Sequence, residues 1–349
     1  MVTVREVTVP APREAWVDLL RRSTEATVTQ TPEWLDCICA TGPWTDASRL
    51  YRFDDGREVL LPFARRRHLP AALAVEGSWP FDWSTGGPVA DGPVTVAHTR
   101  SVFEDLLEHR ALRRTVRLGA LADPAWRCAP SAFHRETQAI YTLDLSGGFD
   151  HVWGTRFQPS VRRAVRKAEQ SGLRVEVDRA GRLVGVFNEL YRASVARWAE
   201  AQHEPQLLAR WRMQRANPPH KFQTVAERLG DRCSVWVAWQ DEHPAAALIV
   251  LRHGTQAKYW RGAMDREVAS PTRANDLLHR LAIEDACRSS CTHYSMGEAR
   301  PGSGLARFKA GFGAREHCTE TYRAERLPLT RIDQAARVAV KRVLRFEDA

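Results

Sequence analysis

Two stretches of the sequence repeat one pattern, a β-hairpin that lies between helical segments. In the first half, residues 48–66 place two β-rich runs around the turn signal Asp54-Asp55-Gly56. In the second half, residues 234–263 carry the same pattern around 240–244 and turn again at His253-Gly254 into a third strand. The repetition predicts two similar α/β domains in tandem.

Helix signals flank both hairpins. Thr31 is placed as an N-cap before Pro32, and residues 159–170 and 182–200 are predicted to be helical. An apolar stripe of helical period in 274–290 precedes a short strand at 292–297, which predicts a mixed sheet. A basic helix is predicted over 332–346. Glycines in 145–154 mark the domain boundary, which gives a first domain of 1–150 and a second of 151–318.

Composition excludes several protein classes. Apolar residues make up 44% and charged residues 27% of the 349, which is typical of globular chains. The longest aliphatic run, 245–251, is far shorter than the roughly 20 residues that cross a bilayer. Arg5 and Glu6 interrupt any signal peptide, so a cytoplasmic location is expected. Seven scattered cysteines fit neither a disulfide framework nor a zinc site, and no metal is predicted.

The charge balance is basic and is supplied almost entirely by arginine. Lys and Arg number 51 against 42 acidic residues, a net charge of +9, and only five of the 51 are lysines. The segment 156–172 is rich in arginine, and two basic stripes at i,i+4 spacing are suited to nucleic-acid phosphates. An ordinary solvated helix face is the alternative. The residues of the stripes are Arg162, Arg163, Arg166 and Lys167.

A glycine-rich segment, 297–313, surrounds Arg307-Phe308-Lys309. Glycine lets backbone approach a ligand closely, and a lysine fixed there can stabilise an oxyanion or a phosphate. A solvated lysine beside a turn is the alternative. The sequence lacks the Arg/Gln-x-x-Gly-x-Gly/Ala loop of acyl-CoA N-acetyltransferases. Only Gly185 has Arg or Gln three residues before it, at Arg182, and Phe187 stands where the motif requires Gly or Ala. No nucleotide-binding loop or hydrolase motif is present, so no cofactor is predicted.

The sequence resembles the Fem family of aminoacyl-tRNA-dependent peptidyltransferases. The resemblance implies two tandem GNAT-like (acetyltransferase-type) domains, each a mixed, mostly antiparallel sheet flanked by helices, with a cleft between them. It also implies that segment 319–349 folds back on the first, acceptor-side domain. The residues that carry the resemblance are Gln30-x-x-x-Trp34, Gly86-Gly87-Pro88-Val89-x-Asp91, the helix 162–172, Tyr259, and Arg307-Phe308-Lys309 with Phe312-Gly313.

The resemblance also implies roles for individual residues. Lys309 would stabilise the negative charge that forms when an amine attacks the aminoacyl ester, and Phe308 would pack beside the aminoacyl end. Asp91 would orient the acceptor amine or remove its proton. Tyr259 and Arg197 would line the same cleft.

Two departures from the family narrow the expected substrate. Asp36, Cys37 and Cys39 stand where the peptidoglycan branch has a basic residue, which argues against a UDP-linked acceptor. The long helical hairpin of some members has no counterpart. We therefore expect transfer from aminoacyl-tRNA to the amine of a small peptide-like acceptor, in natural-product (antibiotic) biosynthesis. The alternatives are an acyl-CoA-dependent N-acyltransferase and a non-catalytic RNA-binding or scaffold protein.

Overall fold

The computed structural model describes residues 2–80 and 82–344. The helices are α1 (Arg13–Arg22), α2 (Pro32–Thr41), α3 (Val96–Glu108), α4 (Gly148–His151), α5 (Pro159–Glu169), α6 (Val184–Ala201), α7 (Gln206–Ala216), α8 (Pro219–Leu229), α9 (Arg266–Thr272), α10 (Ala274–Arg288), α11 (Gly304–Gly311) and α12 (Leu329–Leu344). The strands are β1 (Val4–Thr8), β2 (Trp44–Asp46), β3 (Arg49–Phe53), β4 (Glu58–Leu61), β5 (Ala64–Arg66), β6 (Val75–Gly77), β7 (Val89–Ala90), β8 (Arg113–Arg117), β9 (His134–Asp144), β10 (Arg174–Asp178), β11 (Cys233–Gln240), β12 (His243–His253), β13 (Gln256–Met264), β14 (His293–Glu298) and β15 (Arg315–Glu325).

These strands form two sheets, a smaller antiparallel one and a larger mixed one. The smaller sheet has the order β1-β3-β4-β7, and the larger runs β10-β11-β12-β13-β14-β9-β15-β8-β6-β5-β2. The larger sheet is continuous across both halves of the chain. Strand β9 pairs with β14 on one side and with β15 on the other, and β15 pairs in turn with β8. The fold is therefore an α/β tandem whose two halves share one sheet.

Both predicted hairpins are confirmed. Strands β3 and β4 pair antiparallel across the turn at Gly56, whose φ of +84° suits glycine. Strands β11, β12 and β13 form the predicted antiparallel meander, and β13 then pairs parallel with β14 after helix α10. The predicted cap of α2 is also confirmed, because the Thr31 hydroxyl accepts a hydrogen bond from the Trp34 amide.

The C-terminal segment contacts the first half through β15 and α12. Arg113 on β8 forms ion pairs with Glu325, at 2.6 Å, and with Asp333, at 3.4 Å. Helix α12 begins at Leu329, earlier than the predicted 332, and the last residues of that predicted helix, 345 and 346, lie outside the described residues. None of the helices described is both long and apolar enough to cross a membrane.

An aromatic cluster joins the two halves next to the candidate site. Trp34 of α2 packs edge-to-face on Trp83 and on Trp260 of β13, with ring centroids 5.3 and 5.0 Å apart. Lys221 of α8 is fully buried beside them, with its Nζ 4.2 Å from the centre of the Trp83 ring. Its ammonium donates to the Asp82 and Ala216 carbonyls and to the Asn217 side chain. These contacts fix the 82–84 segment against the second half.

Candidate functional site

Strands β13 and β14 separate soon after they meet. Their parallel pairing covers only three positions and ends at Lys258 and Ser295. Beyond that point the two strands diverge and enclose a cavity of about 890 Å³, which we call the strand-gap cavity. Residues 259–264 line one side and 296–298 the other. Helices α6, α10 and α11 and four residues of the first half supply the remaining walls, the latter being Asp82, Ser84, Arg117 and Ile140. A gap between strands gives a ligand access to backbone and side chains that a continuous sheet would cover.

A β-bulge on β13 sets the geometry of one wall. Val250 pairs with Tyr259 and Ile249 pairs with Arg261, so Trp260 is an extra residue on β13. Tyr259 lines the cavity, and its ring lies edge-on to His279 at 4.8 Å. A methyl group at Gly262 would overlap the Tyr259 hydroxyl, so glycine is required there by close approach. Burial raises the pKa of Tyr259 to about 12, which keeps the phenol protonated.

Lys309 is a buried cation held inside this cavity. Helix α11 begins after Ser303, whose hydroxyl accepts from the Ala306 amide, and it places Lys309 only 2% exposed. The ammonium donates to the Glu298 carbonyl oxygen at 2.7 Å. Gly297, at φ +76°, supplies the left-handed turn that leads into that carbonyl. Burial, assisted by the nearby Lys258, lowers the pKa of Lys309 to about 8, although the Glu298 carboxylate opposes this shift.

Aromatic side chains support the lysine from behind. Phe308 packs against His279 and Phe312, with centroids 5.4 and 5.2 Å away. His279 is 3% exposed, and its Nδ1 has no hydrogen-bond partner among the described residues. Burial, and then the charge of Lys309, lower the pKa of His279 to about 3. The imidazole is therefore neutral at physiological pH.

Arg197 reaches the same cavity from α6. Its guanidinium donates to the Met264 carbonyl at 2.9 Å, at the end of β13. Ser194, one turn earlier, also bonds to the backbone of Met264. Burial lowers the pKa of Arg197, but the side chain stays cationic. The structure thus brings four of the predicted residues into one cavity, namely Lys309, Phe308, Tyr259 and Arg197.

Asp91 lies elsewhere. It lines a second cavity of about 410 Å³, which we call the first-half cavity, bordered by β7 and by residues 119–124 after β8. One carboxylate oxygen accepts from Arg22 at 2.6 Å and the other from Arg57 at 2.9 Å. Because both oxygens are held by guanidinium groups, Asp91 is poorly placed to take a proton from an amine. The sequence reasoning placed it in the same cleft as Lys309.

The arginine-rich helix α5 presents only part of its predicted basic surface. Val161, Val165 and Ala168 are buried, while Arg163, Arg166 and Lys167 are exposed. Arg162 instead donates from one guanidinium nitrogen to the carbonyl oxygens of residues 153, 154 and 157. We therefore exclude Arg162 from the basic surface, because its side chain is fixed against the preceding turn.

Helix α5 packs directly against the helix of Lys309. The Gln158 amide donates to the Gly311 carbonyl at 2.8 Å, and a methyl group at Gly311 would touch Val161. The contact is made by the N-terminal end of α5 and its buried face, and no residue of α5 lines the strand-gap cavity.

Most lining residues of the strand-gap cavity were not predicted from the sequence, and three of them carry ionisable groups of interest. They are Arg117 on β8, Lys258 on β13 and His279 on α10. Lys258 did carry a signal, because it is one of only five lysines in an arginine-rich chain. No feature of the sequence singled out Arg117 or His279. Within the described residues, no group of His, Cys, Asp and Glu is arranged to hold a metal ion.

Comparison with known proteins identifies the fold. Residues 155–310 match the family model described as an acetyltransferase (GNAT) domain. The structure of FemX is similar over 90% of this chain and 96% of its own, with a TM-score of 0.64 and 12% identity. The C-terminal domain (DUF2156) of a putative lysylphosphatidylglycerol synthetase from Agrobacterium fabrum matches over 95% and 97%, with a TM-score of 0.52 and 12% identity.

L-PGS from Bacillus licheniformis is also similar, with a TM-score of 0.50 and 13% identity over 93% of this chain and 96% of its own. No curated protein sequence matches the chain. The predicted fold is confirmed: the chain has the FemX-like arrangement of two tandem GNAT-like units.

Proposed function

We propose that the chain is an aminoacyltransferase that moves an amino acid from aminoacyl-tRNA to the amine of a small peptide-like acceptor. The observation that carries this proposal is the Lys309 ammonium, fixed to the Glu298 carbonyl inside the strand-gap cavity. Aminolysis of an ester is downhill, so the protein has to juxtapose amine and ester and stabilise the oxyanion. A fixed, buried ammonium supplies the second requirement.

Four residues that line the cavity have a part in this proposal. Lys309, with a pKa of about 8, is mostly charged at pH 7 and stabilises the oxyanion of the tetrahedral intermediate. Phe308 gives the aminoacyl group an apolar wall, and Tyr259 offers a protonated hydroxyl at the gap. Arg197 supplies a second, fixed cation for a phosphate at the end of the tRNA.

The donor tRNA is proposed to lie along α5. The start of this helix contacts the helix that bears Lys309, and its exposed cations, Arg163, Arg166 and Lys167, are proposed to bind the tRNA phosphates. The net charge of +9 favours such a polyanionic partner. The acceptor is proposed to occupy the first-half cavity, where Asp91 and Arg22 form part of the wall. An acceptor from natural-product biosynthesis is the expected class.

The test is transfer of a radiolabelled amino acid mixture from total aminoacyl-tRNA, in an extract of the source organism, with RNase and acetyl-CoA controls. Label that enters a small product and disappears after RNase treatment is the expected result. Label that stays with tRNA in the presence of the folded protein would contradict the proposal.

A second candidate function is acyl transfer from acyl-CoA, which the match of residues 155–310 to the acetyltransferase family favours. Against it, residues 263–296 contain no glycine, and the connection from β13 to α10 is formed by helix α9 rather than by a glycine-rich phosphate loop. Transfer from acetyl-CoA that survives RNase would establish this alternative.

A further inference from the structure

Lys258 stands at the point where β13 and β14 part. It is the last residue of β13 that pairs with β14, opposite Ser295, and Tyr259 follows it into the gap. Lys258 lines both cavities, a property it shares with Ile140. It therefore lies between the strand-gap cavity and the first-half cavity.

Lys258 is half-buried, and its side chain differs from those of the two buried lysines, Lys309 and Lys221. Lys309 donates to one carbonyl oxygen and Lys221 to three acceptors, whereas Lys258 has no hydrogen bond or ion pair among the residues the structure describes. An unbonded amine within two cavities is available to a ligand.

The groups that face Lys258 oppose its charged form on balance. Glu298 of β14 favours the charge, while Lys309 of α11 and Arg261 of β13 repel it. Burial is the largest effect, and it lowers the pKa of Lys258 to about 8. A substantial fraction of the side chain is thus a neutral amine near pH 8, with a lone pair that can accept a proton.

The proposed reaction needs such an acceptor. Asp91 is held by Arg22 and Arg57 in the first-half cavity, and the His279 imidazole has its pKa depressed to about 3, so neither is suited to the task. We infer that Lys258, between the first-half cavity and the strand-gap cavity, is a catalytic residue that accepts the proton of the acceptor amine. The inference rests on the proposed function and assigns a residue to its proton transfer.

The step balances without another reactant. The neutral acceptor amine attacks the ester carbonyl carbon, and Lys258 Nζ takes one proton from the nitrogen as the C–N bond forms. Lys309 stabilises the oxyanion. When the C–O bond to the ribose breaks, the leaving oxygen takes the proton back from Lys258. The products are the amide and the tRNA hydroxyl, and no net proton is released.

The test compares Lys258→Arg and Lys258→Met with the unmodified chain under single-turnover conditions. Arginine keeps the charge but cannot lose its proton, and methionine keeps much of the apolar volume. Both variants are expected to lower the single-turnover rate constant at saturating protein at least 100-fold, with the half-saturating protein concentration for aminoacyl-tRNA within threefold. Lys341→Ala, on α12, which contributes no described residue to either cavity, is the matched control and is expected to react at the normal rate.

The outcomes separate this inference from the proposed function. If the unmodified chain fails to transfer from aminoacyl-tRNA, the proposed function fails. If it transfers and Lys258→Arg keeps more than a third of the rate, the proton-accepting role of Lys258 is overturned, because a charge alone suffices.

A second measurement uses the unmodified chain and does not depend on how the variants fold. Competitive acetylation with trace acetic anhydride, read by peptide mass spectrometry from pH 6 to 11, reports how each of the five lysines titrates. Lys258 is expected to titrate near pH 8. A Lys258 that titrates at the ordinary value of a lysine side chain, about 10.4, would overturn the inference.

Discussion

The Nζ atom of Lys309 lies 2.7 Å from the carbonyl oxygen of Glu298, the last residue of β14. This bond joins a helix to the free end of a strand and holds a cation in the strand gap without an ion pair. A carbonyl orients the ammonium yet does not neutralise it, so the charge stays available to a developing oxyanion.

Replacing Lys309 by alanine is expected to reduce the transfer rate 100- to 1000-fold, because the oxyanion loses its only fixed ammonium. The fold should survive, since the lost contact is one hydrogen bond. Single-turnover transfer and thermal melting measure the two effects, with Lys341→Ala as the control. A variant within fivefold of the normal rate would remove Lys309 from the chemical step.

Replacing Gly262 by alanine is expected to destabilise the protein by about 1 to 3 kcal/mol, because the new methyl group overlaps the Tyr259 hydroxyl. The double variant Gly262→Ala, Tyr259→Phe removes that hydroxyl and should recover most of the loss. Denaturant unfolding of the two single variants and the double variant gives the coupling energy. Additive effects would show that the two residues do not meet.

The transfer rate is expected to depend on pH as a bell with its maximum near 8. As pH falls below about 8, Lys258 becomes protonated and cannot accept the amine proton. As pH rises above about 8, Lys309 loses the charge that stabilises the oxyanion. The two lysines interact, so the limbs report the pair rather than either residue. Rates from pH 6 to 10, corrected for spontaneous ester hydrolysis, give the profile, and a flat profile would refute both assignments.

Replacing Arg163, Arg166 and Lys167 together by alanine is expected to weaken tRNA binding. The slope of the logarithm of the tRNA association constant against the logarithm of salt concentration should fall in magnitude by about 2 to 3. The control is a second triple variant that replaces Arg21, Arg66 and Arg100 by alanine and so removes the same charge from exposed positions in the first half. Equal effects of the two triple variants would mean that only net charge matters. Arg162→Ala should lower stability and leave the salt slope unchanged.

Asp91→Asn is expected to lower stability by about 1 to 3 kcal/mol, because Arg22 and Arg57 lose their shared anion. The kcat should stay within threefold of normal, since the structure places Asp91 outside the strand-gap cavity. Denaturant unfolding and acceptor kinetics test this pair of expectations. Normal stability combined with a 100-fold loss of kcat would return Asp91 to the chemical step.

The sequence by itself determined the local elements and several residues of the site. Hairpin turns and helix caps are set by neighbouring residues, as Gly56 and Thr31 show, so they can be recognised without knowing the rest of the chain. The resemblance to the Fem family also identified Lys309, Phe308, Tyr259 and Arg197, which share one cavity. The assigned role of each remains a prediction.

Only the tertiary structure decided which cavity each group faces and which charges are already paired. Arg22 and Arg57 reach Asp91 from 69 and 34 residues away in the chain, and no local pattern records such a meeting. The position of Lys258 follows from where β13 and β14 stop pairing, which depends on the packing of both halves. Burial then shifts the proton affinity of that lysine, and burial is a property of the folded chain.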